Sequence, residues 1–228
     1  MSQLVIVGVS QIASDLVDCA LELGWSVSRV LVDEMPEPGA RDLTWDERLT
    51  QWRTLGVAPE LTPLEDYEPQ PGEQLILGPT TPLRYRLVQR LEARHGGALK
   101  WARLVHPAAS VSRLAQLAEG CFVGAGAVIA PGVRLGEHVF VNRSVSLGHD
   151  CRIDSFTRIQ PGATLGGLIQ VGRAATVGLG ARVVERLVLG EQCFVGAASL
   201  VKDDVAPLSM VAGVPARHVK TMESMFEP

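Results

Sequence analysis

His149 and Asp150 are the adjacent pair in this chain best equipped for chemistry. Imidazole as a side-chain type changes protonation near neutral pH and can take a proton from an attacking amine or hydroxyl. A neighbouring carboxylate can fix the tautomer of the ring and stabilise the imidazolium. The same dipeptide also occurs at solvated surface corners, and residue type alone does not choose between the two. His106, His138 and His149 lack the close spacing with which zinc ligands pair in sequence, so no metal is expected. Cys19, Cys121, Cys151 and Cys193 form no CxxC motif and read as reduced, buried thiols. A second polar set, Gly8, Ser10, Asp33 and Glu34, follows the first two apolar runs of the chain. In an open α/β sheet such positions are strand ends, where ligands bind. The turn Gly8-Val9-Ser10-Gln11-Ile12-Ala13 keeps only the first glycine of a dinucleotide fingerprint, so a redox cofactor is not expected. The competing reading is a structural cap with no ligand.

The elements that would hold these residues fall into two regimes. Leu4–Val7 is a short apolar run of the kind buried on both faces of a parallel sheet. Ile12, Leu16, Cys19, Ala20 and Leu23 recur at helical spacing, and Gly24 closes that helix. Val27–Val32 reads as a second strand. Residues 35–72 carry six prolines and read as a mostly irregular crossover with one helical stretch over Asp46–Leu55. Gln74–Leu77 is a third strand, Leu83, Leu87, Val88 and Leu91 mark another helix, and Trp101–Val105 reads as a fourth strand. This alternation predicts a small parallel α/β domain over residues 1–104.

From Val105 the pattern changes. Seventeen consecutive aliphatic residues, from Val105, Val111 and Leu117 through to Val201, stand six apart without a slip. A small or aliphatic residue follows each one four positions later, and Cys121, Cys151 and Cys193 belong to this second class. Six is a multiple of the strand period and not of 3.6, so short strands joined by tight turns would place the same positions inside each time. Glycine commonly follows the aliphatic residue, as at Gly148 and Gly166, which suggests corners needing its conformational freedom. The pattern is that of a parallel β-helix over residues 105–206, with three hexads per coil. Between five and six coils at about 4.8 Å per rung would stand roughly 27 Å tall. Residues 207–228 leave the repeat. Gly213-Val214-Pro215-Ala216-Arg217 reads as a turn and His218–Phe226 as a short helix, a tail suited to cap the open end of the stack.

Composition limits the partners. Of 228 residues, 46% are apolar and 20% charged, with a net charge of −4. No stretch without Asp, Glu, Lys or Arg exceeds 14 residues, short of the roughly 18 that a spanning helix needs. The opening Met1-Ser2-Gln3-Leu4 has no basic segment ahead of its apolar run, so no secretory leader is expected and the location is read as cytoplasmic. Residues 1–100 carry 9 basic and 15 acidic side chains, and residues 101–228 carry 12 and 10. Neither part has a basic stripe with interleaved aromatics, so nucleic acid is not an expected partner.

The hexad run, with Val201-Lys202-Asp203-Asp204-Val205-Ala206-Pro207 and Gly213-Val214-Pro215-Ala216-Arg217 after it, resembles the hexapeptide-repeat acyltransferases. With the α/β domain in front, the whole chain is similar to bacterial nucleotide-sugar N-acetyltransferases of the bacillosamine type and to sialic-acid O-acetyltransferases. The resemblance implies a Rossmann-like domain followed by a left-handed β-helix, a homotrimer, and acetyl-CoA as co-substrate. Val141–Cys151 resembles the active-site stretch of these enzymes, which makes His149 the implied general base and Asp150 its partner. Ile159–Gly167 is similar to their next stretch, which makes the Gly167 N–H a candidate oxyanion donor, against the alternative of an ordinary corner glycine. Asn142, Arg158, Leu179 and Ala197 match positions near acyl-CoA, with Arg158 a candidate phosphate partner. Solvated arginine and plain packing are the alternatives for these. Gly8, Ser10, Asp33 and Glu34 become candidate acceptor-binding residues. The first turn departs from the family's Gly-Gly-His-Gly type, placing Ile12 where a substrate-contacting histidine is usual. The implied function is acetyl transfer from acetyl-CoA to an amino or hydroxyl group of a sugar, by direct attack on the thioester. The acceptor would be a nucleotide-linked amino sugar. Transfer to a small acceptor that is not a nucleotide sugar, and a non-catalytic β-helix scaffold, are the alternatives.

Overall fold

The computed structural model describes residues 2–35, 39, 42–81 and 84–226. Two compact units divide the chain, residues 1–104 and 105–228.

In the first unit, strands β1 (Gln3–Val7), β2 (Ser26–Val32), β3 (Glu60–Pro63) and β4 (Glu73–Leu77) form one parallel sheet in the order β3-β2-β1-β4. Leu4 to Val7 of the central strand are fully buried, as a doubly covered strand requires. Helices α1 (Ala13–Glu22), α2 (Trp45–Thr54) and α3 (Tyr85–His95) complete the unit. A reciprocal capping box starts α2: Thr44 Oγ1 accepts from the Glu47 N–H at 3.3 Å, and the Glu47 carboxylate accepts from the Thr44 N–H at 2.8 Å. The Thr44 N–H and the Thr44 hydroxyl, both donating to the Glu47 carboxylate, hold it below the usual range. Leu83 of the α3 pattern lies outside the described residues.

Two expectations for this unit need correction. The fourth strand of the sheet is Glu60–Pro63, inside the segment read as irregular. Trp101 contributes only an isolated bridge to Leu75, and Leu104–Val105 opens the repeat that follows. β3 is an edge strand with one buried residue, Thr62, and a terminal proline, so it lacks the apolar run that marks an interior strand.

In the second unit, seventeen two-residue strands, from Leu104–Val105 to Leu200–Val201, stack into three parallel sheets. The register is eighteen residues throughout: Arg134 pairs with Arg152, Phe140 with Arg158, and Ser146 with Thr164. This is a parallel β-helix with three strands per coil. Its interior is one apolar column in which Val123, Ile129, Val141, Ile159 and Val177 are at most 1% exposed. Thr157 and Ser199, the hydroxyl members of the small inward class, are satisfied by Gly172 O at 2.9 Å and the Gly213 N–H at 3.1 Å.

The corner glycines have a different role from the one expected. Left-handed backbone falls at multiples of six, and most of those positions hold other residues, among them Ser144, Asp150, Ala174 and Ala198. The glycines that follow the aliphatic residue are needed for space: a methyl on Gly148 would lie 2.5 Å from the Gly166 carbonyl carbon one coil away.

The tail also differs from expectation. His218–Phe226 is not a helix. The strand Ser209–Gly213 adds in parallel to Phe194–Val195, and the strand Ala216–Thr221 folds back on it antiparallel. The unpaired edge of the last coil supplies ladder partners that an isolated helix would lack. The chain then runs back along a corner, where Gln192 bonds Ser224 and Met225, and Arg173 lies 4.1 Å from the centre of the Phe226 ring. No helix among the described residues is long and apolar enough to cross a membrane.

All four cysteines are buried free thiols. Burial pushes Cys19 and Cys193 up to about 12, so at pH 8 only about one in 10⁴ of these groups is thiolate. Alkylation by iodoacetamide at pH 8 is expected to modify neither cysteine in the folded protein and both in guanidinium. Rapid native labelling of either, read by mass spectrometry, would contradict this packing.

Candidate active site

The strand ends of the first unit bring together Gly8, Ser10 and Gly78. Gly8 ends β1 with φ +84°, and a methyl there would stand 2.8 Å from Leu87 and Pro79. Ser10 Oγ donates to Gly78 O at 2.7 Å, tying the β1 turn to the β4 turn. Asp33 and Glu34 lie past the end of β2 and are exposed. Asp33 is not free: Arg90 of α3 pairs with it and with Glu65. The Arg90 hydrogen bond holds the Glu65 carboxyl below its ordinary range. A buried arginine, Arg48 of α2, donates to Gln11 and, at 2.6 Å, to Ser14 Oγ, so α2 braces the turn from behind. Sequence reasoning missed Arg48 and Arg90, because arginines on amphipathic helices carry no local mark of their tertiary partners.

In the second unit, residue n faces residue n+18, and this decides which candidates meet. His149 and Asp150 form the corner between strands Ser146–Leu147 and Arg152–Ile153. His149 Nδ1 lies 2.9 Å from Asp150 Oδ2, with both side chains more than half exposed. With the carboxylate accepting from Nδ1–H, the lone pair of the neutral ring sits on Nε2. Gly167 occupies the same corner one coil on, and a methyl there would lie 2.6 Å from Nε2. The neighbouring N–H groups are used in the ladder, Gly166 to Val183 O at 2.9 Å and Leu168 to His149 O at 2.8 Å. The Gly167 N–H enters no backbone bond among the described residues, and Gly167 is only half-buried. A basic nitrogen and an amide donor therefore sit beside one another at an open edge, an arrangement able to accept a proton and to stabilise a nascent oxyanion.

Asn142, Leu179 and Ala197 gather at a different corner. Asn142 is buried, with Oδ1 accepting from the Arg143 N–H at 2.8 Å. Leu179 and Ala197 are exposed and stacked one coil apart, Ala198 donating to Leu179 O at 2.8 Å. Arg158 lies on the outer face of the sheet leading to that corner. It is half-buried, donates through Nε to Thr176 Oγ1 at 2.7 Å, and is lowered in pKa by burial, so it is not a solvated arginine. Within one chain the His149 edge and the Leu179 edge are separated by a six-residue rung, up to about 20 Å.

Beside Asp150 a hollow of about 430 Å³ is lined by Gly132, Arg134, Asp150, Arg152, Leu168 and Gln170. Arg134 and Arg152 were not foreseen, because an outward hexad position with arginine looks like any solvated face. His106, His138 and His149 occupy three different corners. His106 Nδ1 accepts from the Ala108 N–H at 3.0 Å, and His138 stacks on Phe156 with centroids 4.9 Å apart.

Several solved structures share this architecture over the full chain. The acetyltransferase domain of PglB from Neisseria gonorrhoeae, in complex with acetyl coenzyme A, matches with a TM-score of 0.78 at 25% identity, covering 95% of this chain and 98% of that one. PerB from Caulobacter crescentus, in complex with CoA and GDP-perosamine, matches at 0.75 and 26% identity, covering 96% and 98%. WeeI from Acinetobacter baumannii shares the fold at 0.77 and 18% identity, covering 96% and 100%. No protein-family profile and no curated protein sequence matches the chain.

A Gly167→Ala substitution is expected to leave the coil register intact, since the backbone of Gly167 is not left-handed, and to rotate the His149 ring off Asp150. A crystal structure of the variant with the Nδ1–Oδ2 contact unchanged would show that the glycine makes no room for the ring.

Proposed function

We propose that this chain, a small α/β unit followed by a hexapeptide-repeat β-helix, transfers the acetyl group of acetyl-CoA to the amino group of a nucleotide-linked sugar. The observation that carries the reading is the corner where His149, oriented by Asp150, turns Nε2 toward Gly167. It stands in a chain that matches, end to end, proteins solved with acetyl coenzyme A and with GDP-perosamine.

The acceptor amine attacks the thioester carbonyl directly, forming the C–N bond. His149 Nε2 takes the proton from the attacking nitrogen, and the Gly167 N–H stabilises the oxygen of the tetrahedral intermediate. Asp150 holds the ring in the tautomer with Nε2 unprotonated and then stabilises the imidazolium. As the intermediate collapses the C–S bond breaks, and the imidazolium returns its proton to the departing thiolate. All four cysteines are buried, so none is placed to form an acyl-enzyme.

Two chains complete the site. The His149 edge and the Leu179–Ala197 edge flank opposite sides of one sheet. A closed threefold ring lets the first edge of one protomer face the second edge of its neighbour, with the coenzyme between them. Asn142 and Arg158 lie on the side of that second edge, and Gly8, Ser10, Asp33 and Glu34 would receive the acceptor. A second reading, a small acceptor without a nucleotide, draws on the engagement of Ser10 by Gly78 and of Asp33 by Arg90, which leaves fewer groups for a nucleotide.

Incubation with acetyl-CoA and a panel of nucleotide-linked amino sugars should give an acetylated product by mass spectrometry, and His149→Ala should lower its kcat by about 100-fold or more. Near-wild-type turnover in that variant removes His149 from the base role. Product from free amino sugars alone supports the second reading. Light scattering should give the mass of three chains, and a monomer that retains full activity would exclude the shared site.

A further inference from the structure

Nine residues other than glycine, including Ala174 (φ +53°) and Ala198 (φ +55°), adopt the left-handed corner conformation in this β-helix. That conformation therefore does not by itself demand glycine here. Gly132 (φ +76°) occupies one of these corners beneath a side chain of the next coil, as Gly120 does beneath His138: a methyl on Gly132 would stand 2.2 Å from Oδ1 of Asp150 and 3.1 Å from its Cγ. Gly162 (φ +69°) has the same backbone and nothing within 4 Å of the same methyl.

The Asp150 main chain cannot move away to make room. Its N–H is bonded to Pro131 O at 3.0 Å, beside Gly132, and Cys151, the next residue, is fully buried in the column. The side chain is thus held between two contacts, Oδ1 over the bare Cα of Gly132 and Oδ2 on His149 Nδ1 at 2.9 Å. The other charged groups lining the same hollow are Arg134 and Arg152.

We infer that Gly132 is a positioning residue for the reaction: its missing side chain is the seat that lets the Asp150 carboxylate lie flat on the preceding coil and reach His149. This rests on the reading of His149 as general base. Any side chain at 132 tips the carboxylate outward and frees the imidazole to adopt either tautomer.

The test compares Gly132→Ala, Gly162→Ala, Asp150→Ala and the double variant Gly132→Ala/Asp150→Ala. Gly162→Ala reports what a methyl costs a left-handed corner in melting temperature. Gly132→Ala is expected to cost more than that, and to cost no more than that corner cost in the Asp150→Ala background, where the seat is empty. In ¹⁵N NMR the wild type should show the Nδ1–H tautomer of His149 and Gly132→Ala should lose it, and kcat should fall about 10-fold or more with the KM for acetyl-CoA little changed. If Gly132→Ala does not fold, the double variant should fold, less stable than Asp150→Ala by no more than the Gly162→Ala cost. An unchanged His149 tautomer in Gly132→Ala, or a double variant less stable than Asp150→Ala by the full cost of the single, overturns the proposal. Should His149→Ala retain turnover, the base reading fails while the tautomer measurement still decides the seat.

Discussion

Parallel stacking of coils at strand spacing is the constraint on which the second unit depends. Once each rung is bonded to the rung eighteen residues on, every side chain has a fixed neighbour above and below. Inward positions are then apolar and of matched size, or hydroxyls satisfied within the stack as at Thr157 and Ser199, because they pack into one continuous interior. Outward positions have no such demand. The close approach of coils at the corners excludes even a methyl at positions such as Gly148. The same spacing brings His149 under Gly167 and Asp150 over Gly132, two contacts between residues of very different type made by the geometry of the stack.

A corner is a good place for proton chemistry because it separates rigidity from exposure. The backbone of His149 and Asp150 is fixed by ladder bonds to Leu168 and Pro131. Their side chains extend into solvent, and the buried neighbours Leu147 and Cys151 anchor the loop on either side. A rigid seat costs the ring little further entropy on adopting one tautomer and orientation, which is the condition for effective acid–base work. The first unit is tied together differently, through cross-element arginines: Arg48 bonds α2 to the turn after β1, and Arg90 bonds α3 to the acidic residues past β2 and β3.

The sixfold period made the column legible, because burial and tight turns act on every coil alike and leave a mark at each. The edge strand Glu60–Pro63 and the hairpin Ser209–Thr221 were not legible, since each is made by pairing with a distant strand and has no run of its own to announce it. The corner glycines were partly legible: their regular recurrence was plain, while their cause, contact between coils in place of left-handed backbone, needed coordinates. His149, Asp150 and Gly167 could be named from the chain and from its resemblance to a family. That Nε2 points at Gly167 could not.

By itself the amino-acid order determined the two-part organisation, the period of the repeat and the identity of the inward residues, because these follow from local chain geometry and from the free energy of removing apolar groups from water. Tertiary structure alone decided which surface residues became neighbours: Asp33 with Arg90, Arg158 with Thr176, Asp150 with Gly132. Such contacts join positions up to fifty-seven residues apart. They arise from how sheets and coils register in space, and nothing in the composition of either partner records them.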